Sequence, residues 1–505
     1  MYKRQRLFIY DALNHLLLMA YKNPKLIERL KIKIAEIVKL SFLGAASPIL
    51  DLKLKGLDLL NSALELFGDL EDPLYPSTSI LEQQQAQIIS ALVPCFTPGN
   101  DYKVIVHAIG VSSNFINLPR IKYYSKQRIL KTLIQLLEEI SSNKFLKFGF
   151  LEDMSEFGKK SIQLAILNCW ALLRIEAYEE SDQNEDEFEQ VLEKYSQLLI
   201  SLWILSLREY SIVKYSESSS RELEIYGNYW INLVTVLSLE TETNYTLINE
   251  SLSGDSENFF FILFSQCIES LIKNKNVVPI LKSFNKLMRI SSLVDLLFND
   301  HIFGELIDVV DRFMLVEDDA EIQCLFLDSM EAAFRTYISS HKADLESGFD
   351  KLFELIRVTM IPLFRILPFL KSDFDNSSDN YETLIRNAEG APNLLILKKT
   401  FENLVKMITL FPDIVKKDLY SCLLYIFAKV YESKKVFLIS VILPYLKQVV
   451  TDSQRLGTNF VEPFYQIVSK FYTIDAAENY TILTTVILVT CGAIKLDEEQ
   501  SKRLS

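Results

Sequence analysis

Apolar residues recur along this chain at steps of three and four positions. These steps place side chains on one face of an α-helix, because each turn takes 3.6 residues. A helix cannot bury such a stripe alone, so each stripe predicts a helix packed against neighbours. The clearest stripes are Ile27, Leu30, Ile34 and Ile37; Leu57, Leu60, Leu64 and Phe67; and Ile129, Leu133, Leu136 and Ile140. Counting such stripes predicts about twenty helices of roughly 12–20 residues.

The interruptions between stripes are mostly short, and the prolines lie mainly within or beside them. This rhythm corresponds to one helix pair per roughly 40 residues, which is typical of HEAT-like repeats. We therefore predict an all-α fold, an α-solenoid of antiparallel helix pairs that forms a single continuous superhelix over residues 1–505. Longer polar breaks, which we expect to be loops on one rim, lie at 179–189, 216–222, 240–258 and 371–393.

Composition supports helices over sheets. The chain has only 14 Gly and 14 Pro in 505 residues, below the usual shares of about 7% and 5%. Sheet-rich and doubly wound folds need more glycine for their turns and phosphate loops. With 49% hydrophobic residues, the chain has enough apolar material for a long stacked core, and two helices apolar on several faces, 190–207 and 394–411, suit its inner layer.

Three local patterns predict details of these helices. Ser79 to Glu82 fits a capping box, in which the serine and glutamate satisfy free amides of the first turn. Asp318, Asp319 and Glu321 fit a solvated first turn, where negative charge favours the helix N-terminus. The aromatic run 259–261 predicts three core phenylalanines.

The net charge of −13 argues against broad capture of nucleic acid, whose phosphates demand clustered cations. The charge is uneven, since 179–189 is acidic and the first 55 residues are basic. We interpret both as solvated faces or loops, with docking to an anionic surface or an acidic partner as the alternative. The basic positions are Lys3, Arg4, Arg6, Lys22, Lys25, Arg29, Lys31, Lys33, Lys39, Lys53 and Lys55.

The cysteines are far apart and mostly flanked by apolar residues, which predicts buried reduced thiols of a cytosolic protein. They are Cys95, Cys169, Cys267, Cys324, Cys422 and Cys491. The most apolar run, Tyr480 to Leu496, falls short of the roughly 20 apolar residues that a membrane span needs. We expect it to form a buried terminal helix.

The sequence shows no pattern that carries catalysis. Neither G-x-x-x-x-G-K-[ST] nor G-x-G-x-x-G occurs, and the nearest string to G-x-S-x-G, at 110–114, lacks the second glycine. The four histidines, His15, His107, His301 and His341, follow no metal-ligand spacing. We therefore predict a protein that is not an enzyme, with no catalytic, cofactor-binding or metal site.

The stretch from Gly56 to Phe96 is more specific than any other. Gly56-Leu57-Asp58-Leu59-Leu60 leads through Asp72-Pro73-Leu74-Tyr75-Pro76 to Leu81-Glu82-Gln83-Gln84-Gln85-Ala86-Gln87-Ile88-Ile89-Ser90-Ala91-Leu92-Val93-Pro94-Cys95-Phe96. This combination resembles the HEAT-repeat-containing protein 5 family, in which an acidic-Pro-x-aromatic-Pro loop precedes L-E-Q-x-Q-A-Q-I-x-S-A-L-x-P-x-F. The resemblance covers residues 52–116, and only Cys95 departs from the pattern, at a position where a small residue is usual.

The resemblance implies a peripheral scaffold at the trans-Golgi network, endosomes and clathrin-coated vesicles. There the protein would assist clathrin adaptor complex one together with a small accessory subunit, without cofactor or nucleic acid. Family members are several times longer, so we expect this chain to be their C-terminal part, and the origin of Met1 stays open. Homodimerisation through apolar ends of the solenoid also stays open.

The family motif supplies the candidate interaction residues, which are Leu81, Glu82, Gln83, Gln85, Ala86 and Gln87. Helical spacing predicts that Leu81, Ile88 and Leu92 are buried, while Glu82, Gln83 and Gln87 are available outside. The alternative is that the glutamines only order the preceding proline-rich loop.

Two other functions are left open by the sequence. Another HEAT scaffold, such as a nuclear transport receptor or a phosphatase scaffold, would bind a small GTPase or a catalytic subunit. An enzyme with a dispersed active site would need a deep pocket with converging titratable groups.

Overall fold

A computed structural model describes residues 2–455 except 74, 76, 77, 98, 142–153, 180–185, 217–219, 343–347, 371–388 and 434. In this part the chain forms twenty α-helices and three short 3-10 helices, without a β-strand. A single antiparallel bridge joins Glu71 and Ser79. The all-α prediction and the helix number are confirmed, although individual helices range from 7 to 30 residues. The run 480–496 and Cys491 lie outside the described residues.

The chain divides into two compact units, of which unit 1 covers residues 1–256. Its helices are α1 (Tyr2–Ala20), α2 (Pro24–Lys31), α3 (Ile34–Ala45), α4 (Leu50–Phe67), α5 (Gln85–Leu92), α6 (Tyr102–Asn117), α7 (Tyr123–Ser141), α8 (Glu156–Glu179), α9 (Asp186–Tyr215), α10 (Ser220–Thr243) and α11 (Tyr245–Leu252). Helix α4 packs on α6, α6 on α8, and α8 on α10, while α3 packs on α5 and α5 on α7. Alternate helices therefore stack in rows, as in paired-helix repeats.

The close crossing of α3 and α4 depends on two glycines. A Cβ atom on Gly56 would lie 2.4 Å from the Ala45 nitrogen and 2.5 Å from the Gly44 carbonyl carbon. Tyr10 covers Gly44 and donates its hydroxyl to the Leu40 carbonyl at 2.7 Å. Gly56, which the family motif contains, therefore allows the backbones of α3 and α4 to touch.

Buried polar contacts join α8 to α10 in addition to apolar packing. Arg174 is 7% exposed and Glu240 is 1% exposed, and the Arg174 Nε donates to Glu240 Oε1 at 2.6 Å. The other Glu240 oxygen accepts from Asn244 Nδ2 at 2.6 Å. A further buried contact joins α9 to α8, because Trp203 Nε1 donates to the Leu167 carbonyl at 3.0 Å. Trp203 and Trp170 are both fully buried.

Unit 2 covers residues 257–505. Its described helices are α12 (Ser256–Ile272), α13 (Val277–Leu287), α14 (Ser291–Leu297), α15 (Asp300–Val316), α16 (Ala320–Ser340), α17 (Phe349–Ile366), α18 (Ala391–Leu410), α19 (Asp413–Glu432) and α20 (Val436–Arg455). Here α13 packs on α16, α16 on α18, and α18 on α20. The predicted acidic first turn is confirmed, because Asp319 caps α16 by accepting from the Glu321 and Ile322 amides.

Two of the three clearest stripes are confirmed, and the third is wrong as a single helix. Leu57, Leu60, Leu64 and Phe67 are all buried on α4. On α7, Ile129, Leu133 and Leu136 are buried and Ile140 is half-buried. The stripe from Ile27 to Ile37 is divided between α2 and α3, because the chain turns at residues 32–33. None of the α2 residues is fully buried.

One predicted polar loop is wrong. The range 240–258 contains the end of α10, the whole of α11 and the start of α12. Ile248 and Leu252 are each 1% exposed, so two apolar residues are enough to anchor α11. The breaks at 179–189 and 216–222 are narrower than predicted, since α9 begins at Asp186 and α10 at Ser220. Most of the break at 371–393 lies outside the described residues.

Burial also corrects the cysteine and phenylalanine predictions. Three cysteines are buried as predicted, whereas Cys324 is half-buried and Cys422 is exposed. On α19 the adjacent Leu423 and Leu424 occupy the core, which leaves Cys422 on the outer face. The run 259–261 spreads over more than half a helical turn, so Phe261 is 40% exposed while its two neighbours are buried.

Candidate interaction site

The motif loop, residues 68–80, connects α4 to the helix that carries the family motif. Its two ends pair with each other, since the Asp72 amide donates to the Thr78 carbonyl and the Ile80 amide to the Leu70 carbonyl, both at 2.9 Å. The connection between α6 and α7 holds the loop from one side. There the Arg120 carbonyl accepts from the Ser79 amide at 3.1 Å, and Arg120 Nη1 lies 2.6 Å from Glu71 Oε1.

A buried carboxylate organises the loop from within. Asp72 is 2% exposed and accepts a hydrogen bond from Gln83 Nε2. Its carbonyl accepts from the Tyr75 amide at 3.1 Å, and Thr78 Oγ1 donates to the Tyr75 carbonyl at 3.0 Å. These contacts fix the backbone of Tyr75 while its ring remains 63% exposed. Gln83 therefore contacts the proline-rich loop through Asp72, as the alternative role of the glutamines would require.

The predicted capping box is wrong, although both of its residues make hydrogen bonds. The Ser79 amide donates to Arg120 rather than to Glu82, and Ser79 Oγ accepts from the Leu81 amide at 3.2 Å. The Glu82 carboxylate instead accepts from Ser125 Oγ at 2.8 Å and from the Tyr124 hydroxyl at 3.2 Å. Glu82 is thus half-buried against α7 and does not face outside as expected.

The motif helix, residues 82–96, comprises a 3-10 turn, α5 and a second 3-10 turn. Leu81, Ile88 and Leu92 have no exposed surface, as the spacing predicted. Gln85 is half-buried, whereas Ala86 and Gln87 are exposed. Gln83 is exposed as predicted, but its amide is engaged with Asp72.

Asn100 secures the far end of the motif helix. Its Nδ2 donates to the carbonyls of Pro94 at 3.0 Å and Cys95 at 3.2 Å, and its Oδ1 accepts from Lys53 Nζ of α4 at 2.7 Å. Cys95 is 1% exposed, and burial raises the pKa of its thiol to about 11. Since the thiolate is the reactive form, Cys95 is a packing residue and not a nucleophile.

Helix α7 contributes a neighbouring outer row that the sequence analysis did not single out. Tyr124, Arg128 and Lys131 follow each other at helical spacing, and all three are exposed. The sequence could have predicted this row, because Ile129, Leu133 and Leu136 form a buried stripe and residues on the opposite face of a helix are exposed to solvent. The five exposed side chains of Tyr75, Gln87, Tyr124, Arg128 and Lys131 are called the motif surface below.

The motif surface carries polar and charged side chains. It offers two phenols, one amide and two cations, which donate and accept hydrogen bonds or pair with anions. The described residues contain no cluster of His, Cys, Asp and Glu suited to a metal ion. Within the same residues, no helix is both long and apolar enough to cross a membrane.

The basic positions before residue 56 are partly neutralised by ion pairs. Lys3 lies 2.7 Å from Asp51, Lys33 lies 2.8 Å from Glu36, and Lys55 lies 2.9 Å from Asp11. These pairs are exposed, so they contribute little to stability. Their arrangement agrees with the interpretation of this stretch as solvated helix faces.

Comparison with known proteins places these features in a family. The profile of the Laa1/Sip1/HEATR5 HEAT repeat region matches residues 29–212, a range that includes the motif loop, the motif helix and α7. The AP-1 accessory protein LAA1 of Saccharomyces cerevisiae (strain ATCC 204508 / S288c) is 31% identical over 533 aligned residues. That alignment covers 98% of this chain and 26% of the relative, so the chain spans about a quarter of the relative's length. The stacked helix pairs, the motif and both matches lead to one assignment: the chain belongs to the Laa1/Sip1/HEATR5 family of HEAT-repeat proteins.

Proposed function

We propose that this chain is part of a non-enzymatic scaffold that assists a clathrin adaptor in vesicle traffic. The observation that carries the proposal is the 31% identity, over 98% of the chain, to a protein named as an accessory of AP-1. Family membership supports the same role, since HEAT repeats present long surfaces to other proteins.

The motif surface is the proposed contact site for a protein partner. Tyr75 and Tyr124 are exposed, yet the backbone of Tyr75 and the hydroxyl of Tyr124 are held by hydrogen bonds. A tyrosine side chain has only two torsion angles, so it loses little freedom on binding. Tyrosine and arginine are also enriched among the residues that carry most of the binding energy in interfaces.

The proposal extends to partners, location and organisation. The partners are clathrin adaptor complex one and a small accessory subunit, and the protein acts peripherally at the trans-Golgi network, endosomes and clathrin-coated vesicles. Residues 1–505 form one continuous HEAT array in this proposal, and self-association into a homodimer is compatible with it.

Recovery of the adaptor with the full-length protein tests the function and the site together. Tyr75→Ala removes an exposed ring, and the loop keeps its hydrogen bonds because the Tyr75 contacts described above use only its backbone. We expect roughly a tenfold or larger loss of adaptor affinity, the size of effect seen at interface hot spots. Tyr425→Ala is the matched control, because Tyr425 on α19 is 59% exposed.

The outcomes separate function from site. If the wild-type protein recovers no adaptor subunit, the proposed function is wrong. If the wild type and Tyr75→Ala recover equal amounts, the function stands and the contact lies elsewhere on the protein.

A further inference from the structure

Four successive helices of one row in unit 1 each carry an asparagine at a similar position. The helices are α4, α6, α8 and α10, which pack on one another in that order. In each of them the asparagine is the twelfth or thirteenth residue, and it is half-buried. The four residues, called the asparagine line below, are Asn61, Asn114, Asn168 and Asn232. One polar position thus recurs in every helix of this row.

Hydrogen bonds join the asparagine line across two of its three helix interfaces. Asn114 Nδ2 of α6 donates to Asn61 Oδ1 of α4 at 2.7 Å. Asn232 Nδ2 of α10 donates to Asn168 Oδ1 of α8 at 2.8 Å. Both contacts are only partly buried, so the two pairs lie at the edges of the interfaces and not in the core.

The middle interface brings these two pairs together. Ser113 of α6 contacts Cys169 of α8 through its side chain. Ser113 has no exposed surface, and Cys169 is 1% exposed. Asn114 follows Ser113 directly, and Asn168 precedes Cys169 directly. The two asparagines therefore flank one buried contact, and the four amides follow a continuous line across the row.

The asparagine line keeps hydrogen-bonding groups that the fold does not use. A side-chain amide has two N–H donors and an oxygen with two lone pairs. Among the residues that the structure describes, no group bonds to Asn114 Oδ1, Asn168 Nδ2 or Asn232 Oδ1, and none of these atoms is buried. In the order of the helices, the line therefore offers an acceptor, a donor and an acceptor to solvent.

The surface beside the line is open and close to neutral. Gly110 is exposed one turn before Asn114 on α6, and a Cβ atom built on it would meet no atom within 4 Å. Nearby charges of opposite sign lie together, since Lys55 is 3.6 Å and His107 is 3.3 Å from Asp58. A ligand can therefore approach the amides, and charge does not select it.

We infer that the asparagine line binds the backbone of an extended segment of a partner protein. The inference takes its partner from the proposed function, on which it rests, and adds a second contact site to the motif surface. Packed helices lie about 8–10 Å apart, and an extended chain rises about 3.3 Å per residue. The four helices of the row therefore span roughly seven to nine residues of such a segment.

The chemistry of the amides favours an extended polypeptide over other ligands. The N–H and C=O groups of an extended segment are unpaired and can bond to both the donor and the acceptors of the line. In a helix most of these groups are already paired within the helix. Anionic lipid and nucleic acid require clusters of Lys and Arg, which neutral amides do not replace.

A side chain placed beside the line tests the inference without touching its hydrogen bonds. Gly110→Leu fills the open space next to Asn114, and leucine favours the helix. We expect about a tenfold or larger loss of affinity of the full-length protein for purified adaptor and accessory subunit, with no loss of stability in tryptophan-monitored unfolding. Gly304→Leu on α15 is the matched control, because the space around its Cβ is also open. Wild-type affinity in Gly110→Leu would overturn the inference.

A second variant separates binding from the registration of the helices. Asn168→Asp keeps the oxygen that accepts from Asn232, but it removes the free donor of the line. The loss of one hydrogen bond to the segment should lower the affinity about fivefold. Asn285→Asp is the control, because Asn285 is also half-buried and keeps its acceptor for Arg289 Nη2 at 3.1 Å. Equal losses in both variants would show a general effect of charge and refute a specific site.

Photocrosslinking identifies the form of the bound segment. With p-benzoyl-L-phenylalanine in place of Gly110, we expect crosslinks to one short stretch of an adaptor or accessory subunit. A synthetic peptide of that stretch should bind the protein, and N-methylation of alternate amides should weaken it about tenfold by removing backbone donors. Crosslinks only to a second copy of this chain, or full binding of the methylated peptide, would exclude recognition of a partner's backbone.

Failure of this inference can be told from failure of the proposed function. If the wild-type protein recovers no adaptor subunit, the proposed function is wrong. If the wild type binds and Gly110→Leu and Asn168→Asp bind equally well, the scaffold function stands and the asparagine line only registers the helices.

Discussion

Replacing Glu240 with alanine removes the carboxylate that pairs with Arg174 inside unit 1. The guanidinium is 7% exposed and lies 2.6 Å from that carboxylate, so the substitution leaves a buried charge without its main partner. Breaking a buried pair in this way costs about 3–5 kcal/mol. Glu193 lies 3.4 Å from Arg174 but is 62% exposed, so its compensation is screened by water. We therefore expect Glu240→Ala to lower the free energy of unfolding by about 3 kcal/mol, near the lower end of that range.

Urea unfolding followed by tryptophan fluorescence measures this loss. The chain has three tryptophans, Trp170, Trp203 and Trp230, and all are buried within unit 1. Their signal therefore reports the unit that contains the ion pair. Lys3→Ala is the control, because the Lys3 and Asp51 pair is more than half exposed and should leave the midpoint unchanged.

A double substitution provides the refuting result. Arg174→Met with Glu240→Leu replaces the pair by apolar groups of similar size, which is often close to neutral. It should recover most of the stability lost by Glu240→Ala. If the double variant is as unstable as the single one, or if Glu240→Ala costs under about 1 kcal/mol, the buried charge is not the cause.

Three further predictions concern helix crossing, thiols and caps. Gly56→Ala should lower the free energy of unfolding by about 1–3 kcal/mol, because the added methyl group forces α3 and α4 apart. Gly110→Ala should raise it by about 0.5–1 kcal/mol, since the space around its Cβ is open. Equal effects of the two substitutions in tryptophan-monitored unfolding would contradict the close crossing. Cys422 should be alkylated long before Cys95, whose pKa of about 11 leaves roughly one thiolate in a thousand at pH 8, as peptide mass spectrometry can verify. Asp319→Ala should cost about 1 kcal/mol, seen as faster amide exchange in the first turn of α16; unchanged exchange would argue against the cap.

The sequence predicted helices well where the apolar stripe was long. Leu57, Leu60, Leu64 and Phe67 follow each other at steps of three and four and are all buried, as the period of an α-helix predicts. The prediction was wrong where only a few residues determine whether a helix forms or ends. Helix α11 is held by Ile248 and Leu252, two apolar residues within a polar stretch. The helical spacing of apolar residues continues across the turn at residues 32–33, so α2 and α3 were predicted as one helix.

The candidate site was predictable in its buried part and only partly in its polar part. Leu81, Ile88 and Leu92 follow from helical spacing alone. The partners of Glu82 do not, because Ser125 and Tyr124 are more than forty positions away in sequence. The capping-box pattern considers only residues close together in sequence, so it cannot predict that Glu82 accepts a hydrogen bond from Ser125. The tertiary contact with α7 determines the conformation of Glu82.

The row packing of α4, α6, α8 and α10 has a mechanical consequence for unit 1. Each helix of the row packs against the next one, so a force applied along the row acts on a series of separate interfaces. Under tension these interfaces can yield one after another, with each step releasing a short length of chain. A row of helices built in this way extends gradually under load and shortens again when the load is removed.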